Sequence, residues 1–293
     1  MYSRYGSSER HRRRLARQPV EVEMPPSNVS RTDEIDPRTQ PNLNLARGLR
    51  ILEAFDSEHP EWGVRELARA LDANPTTIHR LLTTLENFGY VEHSKNSQRY
   101  RLSAKVMRLA GRYAEQNPVQ DVARRVFEEL SGEFEHSFYL GVLNNFEVVY
   151  TAVVEGRGAL KISTHVGERI PLHTTAIGKV LLAAQDGAYF ERFIAAGPLT
   201  RRTDKTKTTP EALQEDIEEV RRSGFAVSLG ENFEDIGAIG VPLYDAQGSV
   251  VAGLSLGFPL HLLTTGRLEI TALVKLAQAL SAGITYRIDG RLP

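Results

Sequence analysis

Thr76, Thr77, His79, Arg80, Thr83, Thr84 and Asn87 bring short hydroxyls, an imidazole, a guanidinium and an amide into one stretch, NPTTIHRLLTTLENFG at residues 74–89. Such groups can pair with base edges or grip phosphate oxygens. A helix face that merely meets solvent more often carries Glu and Lys, so the composition favours recognition over a plain three-helix packing module. Lys95, Arg99 and Arg101, a few residues on, can add salt-sensitive phosphate contacts.

Other arrangements that resemble chemistry fail on inspection. Gly253-Leu254-Ser255-Leu256-Gly257 has the spacing of a hydrolase nucleophile elbow. That motif needs a strand-to-helix turn, then an acid and a histidine later in the chain. Here Leu254 and Leu256 alternate with Ser255 as in a strand, and His261 precedes every later acid. Ser255 reads better as a hydrogen-bond donor in a cleft. Gly178-Lys179 ends like a phosphate loop, but Val180 stands where Ser or Thr is needed, and no glycine has the required spacing before it. Gly178 reads instead as permitting close packing. His173 can touch a ligand or make a structural hydrogen bond. The remaining histidines lack paired ligand spacing, so neither a metal site nor a cofactor is expected. The absence of cysteine excludes disulfides, thiolate zinc sites and a cysteine nucleophile.

The elements that position these residues can be read from pattern. Asn74 is an N-cap, Pro75 suits the first helical position, and Gly89 can end the helix in the left-handed region. Ile78, Leu81, Leu82, Leu85 and Phe88 form its apolar stripe. Upstream, a helix over 45–55 is expected to bury Leu45, Leu49, Leu52 and Phe55, and a second over 64–71 to bury Leu67, Ala68 and Leu71. Two helices across the short Asp72-Ala73 connection make a helix-turn-helix. Downstream, residues 90–102 alternate around Lys95-Asn96-Ser97, a hairpin placed as the wing of a winged helix-turn-helix.

The rest of the chain divides by composition. Residues 1–44, rich in Arg, Pro, Ser and Asn, read as a disordered tail. Its Arg10, Arg12, Arg13, Arg14 and Arg17 either follow a DNA backbone or serve only as a solubilising tail, and the start codon is itself open to misjudgement. A linker helix is expected over 104–117, opening after Ser103, with Asn117-Pro118 breaking it. From 118 to 293, helices interspersed with antiparallel strands, ALKISTHV among them, predict an α+β domain closed by a helix from about Thr265 to Tyr286. The DNA-binding domain itself is bounded at 45–103.

At 293 residues there is room for two cores, and 41% hydrophobic with 25% charged residues is ordinary globular composition. A net charge of −1 excludes a polycation that coats DNA, so any binding depends on locally placed charge. No apolar run approaches the roughly 20 residues of a membrane span, and no secretory signal opens the chain, so a cytoplasmic protein is expected.

The chain resembles bacterial transcription regulators of the IclR family over about residues 43–286. The likeness rests on RGLRILEAF at 47–55, ELARALDANPTTIHRLLTTLENFGYVE at 66–92 and YRLS at 100–103. It continues in GERIPLHTTAIGKVLLA at 167–183, RRSGFAV at 221–227 and IGVPLYDAQGSVVAGLSLG at 239–257. The resemblance implies an N-terminal winged helix-turn-helix, mainly α with a β-hairpin wing. A linker helix would join it to a C-terminal α+β effector domain of GAF-like, profilin-like form. It implies a homodimer or tetramer on a partly palindromic operator, often of catabolic genes. The effector would be an organic or aromatic acid or a sugar derivative, and RNA polymerase is a candidate further partner.

Carried over by position, Thr76, Thr77 and Arg80 match the recognition-helix pattern. The effector cleft would be lined by Thr174, Thr175, Ala176, Ile177, the segment from Ser228 to Glu231, Ala238, Ser255 and Gly257, with His173 beside it. Ala238 stands where some members have cysteine, and Gly257 where small-carboxylate binders carry a second serine. Asp235 replaces a frequent glycine. These departures argue against a glyoxylate- or pyruvate-like effector and for a larger or less polar one.

The expected function is therefore a ligand-responsive DNA-binding regulator, not an enzyme. Two recognition helices held about 34 Å apart would enter successive major grooves. Arg80 would contact a guanine or fix a phosphate; Thr76, Thr77, His79 and Thr83 would tune sequence; Lys95 and Arg99 would supply affinity. The alternatives are a ligand-independent architectural DNA-binding protein and an enzyme carrying a DNA-tethering module. Whether the protein activates or represses is open.

Overall fold

The computed structural model describes residues 20–23, 42–56, 58–130, 136–158 and 160–288. The chain divides into two units, one over 34–118 and the other over 119–293 together with the short strand β1 (Val20–Glu23).

The first unit holds helices α1 (Leu43–Glu53), α2 (Val64–Ala70), α3 (Pro75–Asn87) and α4 (Val106–Gln116). A small antiparallel sheet joins β2 (Glu61–Trp62), β3 (Val91–His93) and β4 (Tyr100–Leu102) in the order β2-β4-β3. Asn74 accepts from Thr76 N at 2.8 Å, Pro75 opens α3, and Gly89 takes φ +75° just beyond it, as the pattern predicts. Ile51, Leu67, Ile78, Leu82, Val91 and Tyr100 form the core.

Three expectations need correction here. Leu45 and Leu49 are exposed, at 63% and 52%, while Ile51 is fully buried, because only the C-terminal half of α1 reaches the core. Phe88 is 65% exposed, since it caps α3 beyond the last turn that covers the core. The linker helix begins at Val106 rather than 104. Ser103 accepts from Lys105 N and donates to the Gly89 carbonyl, capping the turn before the helix.

In the second unit α5 (Pro118–Leu130) precedes a six-stranded antiparallel sheet ordered β8-β6-β5-β11-β10-β9. Its strands are β5 (Ser137–Asn144), β6 (Glu147–Val154), β8 (Arg169–Pro171), β9 (Ala226–Leu229), β10 (Ile236–Tyr244) and β11 (Val250–Pro259). One face packs on α5 and on α10 (Ile270–Ile288) through Phe127, Phe138, Leu254, Leu256, Ala277 and Ile284. The other face receives α6 (Ala176–Ala183), with α7 (Gly187–Ala195) and α8 (Pro210–Ser223) around it. Gly224, at φ +78°, ends α8.

Two corrections fall in this unit. The segment ALKISTHV does not extend the main sheet. Its β7 (Leu160–Ser163) pairs in parallel with β1, a stretch expected to lack structure, whose alternating VEVE suits a strand. The rest of that tail, with Arg10, Arg12, Arg13, Arg14 and Arg17, lies outside the described residues. The closing helix begins at Ile270 rather than near Thr265. The short α9 (His261–Thr264) and Gly266 at φ +65° intervene.

Candidate nucleic-acid interface and effector cleft

Helix α3 buries Ile78 and Leu82 and turns Thr76, His79, Arg80, Thr84 and Asn87 to solvent, with Thr77 and Thr83 half-buried beside them. The Thr83 and Thr84 hydroxyls donate to the carbonyls of His79 and Arg80, each at 2.9 Å, which leaves their lone pairs as acceptors. All the residues expected to read a duplex therefore lie on one accessible surface, except where the wing alters the picture.

Lys95 is exposed at the wing's tip. Arg99 is not free: it forks onto Glu66 of α2 at 2.6 and 3.3 Å and reaches the Glu61 carbonyl at 3.2 Å. The Gly63 N–H, then Arg99, hold the Glu66 carboxyl below the ordinary range. Arg101 is likewise paired, with Glu92 at 3.1 Å. The wing is thus tied down by its own arginines.

The second unit's candidate cleft is built from rows across the sheet. Register places Ser228, Ala238, Gly257 and Ser137 in one row, and Ala226, Gly240, Ser255 and Tyr139 in the next. Residues two apart on a strand share a face, so both rows lie on the α6 side. Helix α6 sits close because the sheet offers glycines. A Cβ on Gly240 would lie 2.6 Å from the Ala176 backbone, and one on Gly253 would lie 2.6 Å from Ile177 Cγ1. Gly178 approaches Leu172 just as tightly, its missing Cβ falling 2.7 Å from the Leu172 carbonyl carbon.

Many of the polar groups assigned to the cleft are satisfied within the protein. His173 Nε2 lies 3.0 Å from the Thr200 carbonyl, the structural alternative. Thr174 donates to Asn232 at 3.1 Å, and its own carbonyl accepts from Ser228 at 3.0 Å. Thr175 caps α6 through Gly178 N at 3.1 Å. Glu231 does not face a ligand freely: its carboxylate lies 2.6 and 2.7 Å from the ammonium of Lys179, which also reaches Asp216 at 2.6 Å. Burial, opposed by that lysine, raises the Glu231 carboxyl.

Sequence reasoning passed over Lys179, Asp216, Asn232 and Tyr139. The first had a signal, since a lone charge inside the apolar AIGKVLLA must be buried with a partner. Tyr139 lies opposite Ser255 with its ring centroid 5.3 Å from that of Tyr150, and burial pushes its hydroxyl up to about 12. Only register could have found it. Among the described residues no cluster could hold a metal, and no helix is long and apolar enough to cross a membrane. Ser255 lies within β11 with no turn into a helix, so the hydrolase motif is a strand repeat.

A winged helix-turn-helix with a polar recognition surface, coupled in one chain to a sensor-like α+β unit, defines a DNA-binding regulator. The comparisons give the same class and a family. Residues 44–95 match the IclR helix-turn-helix domain, and 111–284 match the C-terminal domain of bacterial transcriptional regulators of the IclR type. The chain belongs to the IclR family of transcriptional regulators, which are not enzymes, and its second unit is the family's GAF-like α+β domain. It is 30% identical to the HTH-type transcriptional regulator KdgR of Escherichia coli over 86% of this chain and 97% of that one. It is 31% identical to the p-hydroxybenzoate hydroxylase transcriptional activator of Acinetobacter baylyi over 72% and 79%. An IclR homolog from Microbacterium hydrocarbonoxydans, solved in complex with 4-hydroxybenzoate, superposes with a TM-score of 0.75 at 25% identity, covering 84% and 99%.

Proposed function

We propose that this regulator binds a two-fold operator as a homodimer or tetramer and changes its DNA affinity when a small organic acid occupies the cleft beneath Thr174. The single observation that carries the DNA reading is α3, which buries Ile78 and Leu82 and offers Thr76, His79 and Arg80 outward, with Thr77 half-buried beside them. Arg80 makes the fork-shaped contact to guanine or phosphate, and Thr83 accepts from a base amine. Lys95 supplies most of the wing's electrostatic affinity, because Arg99 must first leave Glu66. Action on bacterial DNA places the protein in the cytoplasm.

An aromatic acid fits the cleft better than a two- or three-carbon acid. Ala238 and Gly257 widen the first row, and Tyr139 and Tyr150 offer rings nearby. Two relatives point the same way, one named for the p-hydroxybenzoate hydroxylase it activates and one solved with 4-hydroxybenzoate. The occupant must favour one arrangement of the regulator over another, and a tenfold change in operator affinity requires about 1.4 kcal/mol of coupling.

The test is fluorescence anisotropy on an operator that the protein itself selects from a pool of random duplexes. Arg80→Ala should weaken binding by about 1–3 kcal/mol and relax selectivity at one base pair. Unchanged affinity would remove Arg80 from the interface.

A further inference from the structure

Strand β9 pairs with β10 only as far as Ala226 opposite Gly240, so from Val241 onward that side of β10 has no strand. Alternate residues of β10 turn their backbone groups to this edge: the Ile236 carbonyl accepts from Gly230 N, and the Pro242 carbonyl accepts from Ser281 Oγ of α10 at 2.6 Å. Proline has no N–H to leave unpaired, so the edge is closed to a further strand without being covered by one. Beside it opens a cavity of about 570 Å³, lined by Val241, Pro242, Tyr244, Ala282, Thr285 and Tyr286 among others. None of the effector-cleft residues named above lines it. Its size falls within the roughly 300–1,000 Å³ of small-molecule sites.

The walls are mostly apolar, and their polar side chains are Gln278, Ser281, Thr285 and the two tyrosines, of which the buried Thr285 hydroxyl stands apart. The Thr285 hydroxyl is shut away from solvent and has no hydrogen-bond partner. Thr83 and Thr84 on α3 return their hydroxyls to the preceding turn, and Ser281, one turn before Thr285, is satisfied by Pro242. An unmet buried hydroxyl is destabilising. Threonine in a helix has two accessible χ1 rotamers, so the hydroxyl is free to reorient toward a ligand beside it.

We infer that this groove is a second small-molecule site, distinct from the effector cleft, for an uncharged aromatic compound carrying one oxygen that pairs with Thr285. The lining just named contains no charged side chain to receive an acid, and tyrosines at two positions suit a planar ring. The two sites share β10, with Ala238 in one and Val241 and Pro242 in the other.

The probe is p-cresol, matched against p-xylene, which lacks the oxygen, in ligand-observed NMR titrations of the full chain. Wild type should bind p-cresol roughly tenfold more tightly than p-xylene, the worth of one net hydrogen bond. Thr285→Val should abolish that preference while leaving p-xylene affinity unchanged. Ala282→Trp, which fills the groove from an exposed position, should lose both ligands. No saturable p-cresol binding to wild type, a preference retained in Thr285→Val, or binding that survives Ala282→Trp would each overturn the assignment. So would an Ala282→Trp chain whose sedimentation changes while wild type binds neither compound, since the groove would then be an interface between copies.

Discussion

Lys179 shows how a single buried side chain can organise the connection between two strands. Its side chain, 2% exposed, gathers Glu231 from the β9–β10 connection and Asp216 from α8. The same connection is held through the Gly230 and Glu231 carbonyls, which accept from Thr203 and Thr206 at 2.6 and 2.7 Å. Removing one partner of a buried pair leaves the other charge uncompensated. Lys179→Met should therefore destabilise the second unit at neutral pH by about 3–5 kcal/mol in urea unfolding. The pH sense follows from Glu231, whose carboxyl burial raises. A raised folded-state pKa stabilises below the unfolded carboxylate range and loses that contribution as pH rises through the folded value. In Lys179→Met the opposing attraction is gone, so the deficit relative to wild type should shrink as pH falls and Glu231 takes up a proton. A deficit independent of pH would show that the lysine matters only for packing.

Helix α6 illustrates control by missing atoms. Gly178 meets the Leu172 backbone, and Gly240 meets Ala176 across the sheet. Backbone cannot swing aside as a flexible side chain can, so overpacking at such a contact costs about 1–3 kcal/mol or more. Gly178→Ala is expected to lower the melting temperature of the second unit clearly. Gly187→Ala at the start of α7, where a Cβ meets nothing within 4 Å, should be neutral or slightly stabilising. Equal effects in differential scanning calorimetry would contradict the packing argument. The wing makes the opposite point, since Arg99 and Arg101 are spent on Glu66 and Glu92 and hold β4 in place.

For the whole molecule the informative surface is apolar and uncovered. Leu43, Leu45 and Leu49 on α1, with Met107 and Leu109 on α4, are each between 52% and 68% exposed. Helix α4 has no buried residue at all among its eleven. An amphipathic helix with an uncovered apolar face calls for a partner, and a second copy would supply it while pairing two α3 helices. Leu109→Glu should shift the protein toward monomer in analytical ultracentrifugation and weaken operator binding, with far-UV circular dichroism unchanged. A variant that stays oligomeric with full affinity would place self-association elsewhere.

The residue pattern by itself determined the helix-turn-helix, the caps of α3 and the strand nature of Ser255, because each depends on spacing along a few turns or one strand. What the chain keeps from a linear reading is pairing between distant segments. That Glu231 belongs to Lys179, that Arg99 belongs to Glu66, and that Tyr139 stands beside Ser255 follow from register and packing between segments 33 to 116 positions apart. So does the exposure of Leu45 and Phe88, which periodicity assigned to the core. Periodicity states which face of a helix is apolar; only the neighbouring element decides how much of that face is covered.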